Sequence, residues 1–296
     1  MDIALLSVSM NVYSTKRIAE EAQLSGHYVE QVDHTKCAVL LGEGKPKIFM
    51  DGEDITHAFD AIVPRIGTKV SRHGVAIVKQ FEMNGIFSTA KAMAIDRARN
   101  KVRALQILSR KGLPIPRTLF SIDPGSLDRQ LDILGGAPLI IKIQEGTQGM
   151  GVILAESIKS AKSILETFYK MNANMLLQEY IAESNGQDIR AIVVGQKVVA
   201  SMRRSCQVGD FRSNMHRGGS AEAVILTPRQ RFLALNATKH LGLGVAGVDM
   251  IVSKKGPLLL EVNASPGLQG IETATGVNVA GEIIKFLEKN VRRKGK

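Results

Sequence analysis

Asp249 and the tripeptide Glu261-Val262-Asn263 offer three oxygen donors on two neighbouring apolar runs, a set that suits a hard cation. Residues 247–252 and 257–263 both read as short strands, and Ser253-Lys254-Lys255-Gly256 lies between them, which predicts a hairpin. With a three-residue loop of Lys254, Lys255 and Gly256, Ser253 pairs with Pro257 and Asp249 falls opposite Glu261. Side chains alternate along a strand, so Asn263 shares the face of Glu261 while Val262 points into the protein. Two carboxylates and an amide fit magnesium, which keeps waters and shares its coordination with phosphate oxygens.

A second group of residues addresses an anion. Residues 137–142 form a strand candidate that ends in Lys142, followed by Glu145-Gly146-Thr147-Gln148-Gly149-Met150-Gly151 and a second strand at 152–154. Glycines 146, 149 and 151 let backbone amides approach a phosphate, and a strand-anchored lysine neutralises it. The lysine precedes the glycines and no Gly-Lys-Ser/Thr opens a helix, so the expectation is a flap between antiparallel strands rather than a Walker loop. Arg203, Arg204, Arg212 and Arg217 are dense enough to form a charged wall, because guanidinium forks pair with carboxylates and phosphates alike. Arg97 and Lys101, four apart on one long helix expected over 90–110, would be neighbours on a single face.

Alternating elements must hold these groups. Residues 3–6, 15–25 and 28–32 read as strand, helix and strand, and 60–63, 74–83 and 86–88 repeat the alternation. This predicts a small, mostly parallel sheet covered by helices. No Gly-x-Gly-x-x-Gly follows the first strand, so no dinucleotide site is expected there. Residues 175–181 read as a further strand, and 188–194 with 197–204 as a hairpin turning at Gly195-Gln196.

The 296 residues, 44% hydrophobic and 23% charged, suffice for two or three domains. The apolar runs are too short to cross a bilayer, and the first residues lack a basic region ahead of a long apolar segment, so neither a membrane span nor a secretion signal is expected. Cys37 and Cys206 match no metal or disulfide spacing, which fits a reducing cytoplasm. The net charge of +11 comes without tryptophan and with only 4% aromatics, which argues against direct nucleic-acid reading and for attraction of acidic peptides or phosphorylated molecules.

Several longer motifs resemble those of the ATP-grasp carboxylate–amine ligases, and within them the RimK branch, which adds glutamate to a small-subunit ribosomal protein. They are Pro64-Arg65-Ile66-Gly67, Asp96-Arg97-Ala98-Arg99-Asn100-Lys101, Gly135-Gly136-Ala137-Pro138, Glu145-Gly146-Thr147-Gln148-Gly149, Gln178-Glu179-Tyr180-Ile181, Gly209-Asp210-Phe211-Arg212-Ser213-Asn214, His216-Arg217-Gly218-Gly219 and Glu261-Val262-Asn263-Ala264-Ser265-Pro266-Gly267. The resemblance spans nearly the whole chain. It implies mixed α/β and α+β architecture: a pre-ATP-grasp α/β domain at 1–95, a central ATP-grasp subdomain at 96–182, and a C-terminal subdomain with the metal site at 183–296.

The same resemblance implies ATP between the subdomains, with Lys101 and Lys142 on its phosphates. Glu179, Tyr180 and Asp188 would hold the adenine and ribose side, and Arg212, Ser213 and Asn214 the phosphate side. Asp249, Glu261 and Asn263 would carry magnesium, two ions being expected and manganese able to substitute. Arg203, Arg204 and Arg212 are the catalytic candidates, and Arg65, Arg203, Arg204 and Arg217 the candidates for holding L-glutamate and an acidic protein C-terminus. A homo-oligomer is expected. Two other readings are a sister ligase acting on a small carboxylate such as a pterin, a deazaflavin or an amino-group carrier, and a non-catalytic, nucleotide-responsive ribosome-binding protein. A complete acidic set disfavours the last, because a pure binder needs no full metal site.

Overall fold

The structure is a computed structural model that describes residues 1–42, 44–67, 71–143, 151–171, 173–206 and 219–291. The first sheet is parallel, in the order β2 (Tyr28–Val32), β1 (Asp2–Leu6), β6 (Ala61–Pro64), β7 (Phe87–Ser88). Four consecutive residues of β1 are buried because helices cover both faces of the sheet. Ile3 and Leu5 pack with Ile18, Ala19 and Ala22 of α1 (Tyr13–Leu24). Ala4 and Leu6 pack with Ile77, Val78 and Phe81 of α2 (Ser71–Met83). Each fully buried aliphatic side chain of this kind contributes roughly 1.5–3 kcal/mol.

Between β2 and β6 lies a small antiparallel sheet not foreseen from the sequence: β3 (Cys37–Leu40), β4 (Lys47–Met50) and β5 (Glu53–Asp54). Its last turn is Asp51-Gly52, both at positive φ (51° and 90°), and this Asp-Gly dipeptide is the local signal for it.

The single helix expected over 90–110 is two helices, α3 (Ala92–Arg99) and α4 (Lys101–Arg110). Asn100 separates them in an extended conformation, and its side chain accepts from the Arg103 amide at 3.0 Å, capping α4. Arg97 and Lys101 therefore do not share a helix face. Lys101 instead opens α4.

The central sheet is antiparallel, in the order β10 (Val152–Ala155), β9 (Leu139–Ile143), β11 (Met175–Glu179), β8 (Thr118–Ser121). With α5 (Leu127–Leu134) and α6 (Ile158–Lys170) it encloses a core of its own, including Leu131, Leu139, Ile141, Leu165 and Leu177. Lys142 pairs with Val152, so the two strands of the expected flap are antiparallel neighbours. Its residues 144–150 lie outside the described residues.

The third sheet runs β14 (Ser220–Ala223), β13 (Lys197–Ser205), β12 (Gln187–Val194), β15 (Val245–Ser253), β16 (Gly256–Asn263), with every described pairing antiparallel. One face meets α7 (Pro228–Leu241), whose start is a capping box of Thr227 with Gln230. The other face meets α9 (Val279–Asn290). The same two hydrophobic clusters contain the parallel sheet and this one, so the first and last parts of the chain share their cores while the central sheet stands apart. No helix among the described residues is long and apolar enough to cross a membrane.

Candidate functional site

The β15–β16 hairpin forms, but its turn is shorter than expected. Ser253 faces Gly256, leaving Lys254 and Lys255 as a two-residue loop. That register alone would set Asp249 against Leu260. A one-residue shift between Asp249 and Met250 restores the alignment, so Asp249 faces Glu261 and Gly247 faces Asn263. The extra residue sits in β16 beside the donors rather than in the turn. Leu259 and Val262 are buried on either side of it, and Glu261 is exposed.

Asp249 is buried at the centre of a charged row running across the sheet. Arg190 lies opposite it on β12, donating from Nε to Oδ1 at 2.7 Å and from Nη2 to Oδ2 at 2.6 Å. Two residues earlier on the same strand, Asp188 accepts a matching fork from Arg204, both bonds 2.6 Å. Arg204 Nη2 also stands 3.2 Å from Asp249 Oδ2, joining the two pairs. Burial would raise the Asp249 pKa, but Arg190 and Arg204 outweigh it and hold the carboxyl at about 2. Burial likewise opposes the Arg204 charge, which Asp249 and Asp188 restore and raise.

The central sheet contributes Lys142, half-buried on β9, whose Nζ donates to Gln178 Oε1 at 2.7 Å. Gln178 Nε2 in turn donates to Thr118 Oγ1 at 2.9 Å, fixing the amide. Burial pushes the Lys142 ammonium down to about 8; Glu261 and Asp249 act in the opposite sense and Lys101 adds to the fall. These four side chains thus share one electrostatic neighbourhood at the seam between the two sheets.

The donor set fits a hard cation. Glu261 makes no hydrogen bond or ion pair with a described residue. Asn263 Nδ2 is buried without a partner, so this amide is held in place by packing and not by hydrogen bonds from that nitrogen. No group of three or more His, Cys, Asp or Glu suited to a metal occurs among the described residues, so an ion here would complete its shell with the amide, waters and phosphate oxygens.

The remaining expected residues divide. Adjacent residues of a strand face opposite sides, so Arg203 and Arg204 do not form one wall. Arg203 pairs with Glu222 at 2.9 Å on the exposed side, whereas Arg204 is committed to Asp188 and Asp249. Arg204 is better described as structural, since stripping one partner from a buried ion pair costs roughly 3–5 kcal/mol. Asp188, expected beside the ribose, has both oxygens in the Arg204 fork. Glu179 ends β11 with Oε1 accepting the Arg117 amide at 2.8 Å and Oε2 accepting its Nε at 3.0 Å. Tyr180 follows it, half-buried. Arg65 Nη2 donates to the Pro266 carbonyl at 2.9 Å, and burial pushes its guanidinium down to about 10. Ser265 Oγ returns a bond to the Pro64 carbonyl at 3.2 Å, so the loop after Asn263 is tied to the end of β6. Arg212, Ser213, Asn214 and Arg217 lie outside the described residues. Arg190 and Gln178 carry much of the geometry without having been singled out for a role. Period-two spacing of Asp188 and Arg190 is the sequence signal that puts both on the Asp249 face.

Comparison with known proteins agrees over the full length. The family described as RimK-like ATP-grasp domain matches residues 98–287, and the RimK PreATP-grasp domain matches residues 1–95. Probable alpha-L-glutamate ligase 1 of Shewanella frigidimarina is 51% identical over 292 residues, covering 99% of this chain and 97% of that protein. The probable alpha-L-glutamate ligase of Thioalkalivibrio sulfidiphilus is 49% identical over 292 residues, with 99% and 97% covered. Among solved structures, the ATP-grasp ligase PsnB complexed with minimal precursor, Mg and ADP superposes with a TM-score of 0.76 at 22% identity, covering 99% of this chain and 98% of that one. A RimK domain ATP-grasp protein from Sphaerobacter thermophilus gives 0.75 at 21% identity, with 97% and 99% covered. At these identities the structures establish the fold, a pre-ATP-grasp domain followed by an ATP-grasp unit. Family match, relatives and fold together show that the chain belongs to the RimK-like ATP-grasp family and is an ATP-dependent carboxylate–amine ligase.

Proposed function

We propose that this ligase adds L-glutamate to the C-terminal carboxylate of an acidic protein, a small-subunit ribosomal protein in the cytoplasm, through an acyl phosphate. The observation that carries the reading is the convergence of Lys142 from one sheet with Asp249 and Glu261 from another, which supports a triphosphate bound at the seam. Bound at Asp249, Glu261 and Asn263, magnesium, or manganese in its place, would supply positive charge to the phosphoryl oxygens; a second ion belongs to the same reading. Lys142 and Lys101 neutralise charge on the phosphates. A carboxylate oxygen attacks the γ-phosphorus, ADP leaves, and the amine of glutamate then displaces phosphate from the acyl phosphate. Neither step needs a nucleophilic side chain. Arg65 and Arg217 are the candidates to hold the acidic acceptor and glutamate, with Arg203 facing the solvent side of the same sheet.

Incubation with ATP, magnesium, glutamate and candidate ribosomal proteins should release ADP only when both glutamate and an acceptor are present. Intact mass should rise in steps of one glutamyl residue. Turnover with a small carboxylate instead of a protein would move the assignment to a sister ligase, and no ADP release with any acceptor would favour a binder.

Lys142→Met should weaken ATP binding by roughly 10- to 100-fold, the loss of one charge-assisted contact, when measured by calorimetry. Phosphates prefer the ammonium form. Wild-type affinity should therefore fall as pH rises past about 8, where free Lys142 loses its proton, and the Met variant should lack that fall. Equal ATP affinity in the two proteins would remove Lys142 from the phosphate site.

A further inference from the structure

The row across the third sheet is balanced before any nucleotide arrives. Among the described residues, Asp188 and Asp249 face Arg204 and Arg190, and Lys142 lies within electrostatic reach of Glu261 and Lys101. A carboxylate has about four lone-pair sites. Among the described residues, the Arg190 fork uses one on each oxygen of Asp249 and Arg204 a second on Oδ2, so against these partners Oδ1 alone keeps one for an ion. Among the described residues, a divalent cation approaching this protein by itself therefore meets one available oxygen of a neutralised carboxylate, the carboxylate of Glu261, and the nearby ammonium of Lys142. The phosphates of a nucleotide reverse that balance by bringing several negative charges to the lysines.

We propose that Arg190, backed by Arg204, is a positioning residue that makes cation binding conditional on the nucleotide: it holds Asp249 in a fixed rotamer, restricts it to one donor oxygen, and cancels most of its charge, so that phosphate oxygens must supply the charge an ion needs. This rests on the reading of Asp249, Glu261 and Asn263 as cation ligands. Arg190 acts through Asp249, which its fork orients. The coupling is reciprocal, so ADP must tighten cation binding by the same factor as the cation tightens ADP binding.

The test uses manganese alone, titrated into the full-length protein with and without ADP, the free ion being followed by its electron paramagnetic resonance signal. Wild-type protein should take up manganese at least about tenfold more tightly with ADP than without. Arg190→Gln removes the charge but leaves one donor for Asp249. It should bind manganese without nucleotide at least about tenfold more tightly than wild type, and the advantage should shrink with ADP. Arg190→Lys restores the charge without the fork and should return nucleotide-free binding close to the wild-type value.

Unchanged or weaker nucleotide-free binding by Arg190→Gln, with uptake in ADP intact, would overturn the proposal while leaving the cation site standing. Absence of manganese uptake by wild type even with ADP would instead remove the cation site, and the proposal with it. Should Arg190→Gln fail to fold, the wild-type comparison still decides: equal manganese affinity with and without ADP overturns conditional binding.

Discussion

Glu261→Gln should keep its fold and lose phosphoryl transfer by roughly 10²- to 10³-fold, the scale seen when a charge-stabilising group is removed from a reaction centre. Glu261 is exposed and makes no hydrogen bond or ion pair with a described residue, so the isosteric amide should leave the melting temperature close to that of the wild type. The kinetic effect is large because of what surrounds Asp249. With both of its oxygens forked by Arg190, Asp249 brings little uncompensated charge to an ion. Glu261 would then be the principal negative ligand of an ion bound here. ADP release with glutamate and acceptor reads the loss directly, and near-normal release would withdraw Glu261 from the cation site. Asp249→Asn would be a poorer choice. It takes the charged partner from the Arg190 fork and one of the two carboxylates from buried Arg204, and so confounds chemistry with folding.

An acidic peptide with a free C-terminus should be lengthened by one glutamate at a time, and amidation of that terminus should abolish growth. An amide oxygen is a poor nucleophile toward phosphorus, and the amidated end offers no paired acceptors to a guanidinium. Binding can survive through acidic side chains, so turnover is the quantity to follow, with fragmentation mass spectrometry locating each addition. Continued growth of the amidated peptide would mean that side-chain carboxylates are activated, and the terminal reading would fall.

The opposition of Asp249 and Glu261 is legible from the sequence because the period of two survives relocation of one residue. An extra residue in the turn or one at Leu260 gives the same pairing beyond it. The position of that residue is not legible, since Gly256 accommodates either arrangement. The break at Asn100 is recorded locally in a good capping residue, but the helical run on both sides masks it. Arg190 is another matter. Its role follows from the register between β12 and β15, strands joined through distant parts of the chain, and no spacing within Asp188-Ile189-Arg190 specifies which carboxylate it will meet. Arg203 and Arg204 show the reverse error. Alternation already assigns them to opposite faces, and charge density alone makes them look like partners.

The tie between Arg65 and Pro266, with its return bond from Ser265 to Pro64, bears on how such a ligase can be recombined. The opening parallel sheet shares two hydrophobic cores with the closing antiparallel one and clasps the loop that follows Asn263. A chimera that exchanged residues 1–95 would cut through both cores and loosen that loop. The segment from β8 to β11, which fills its own interior, is the piece that can be transplanted whole. Acceptor preference in this protein should then be altered more readily by single substitutions at the seam than by exchanging its first domain.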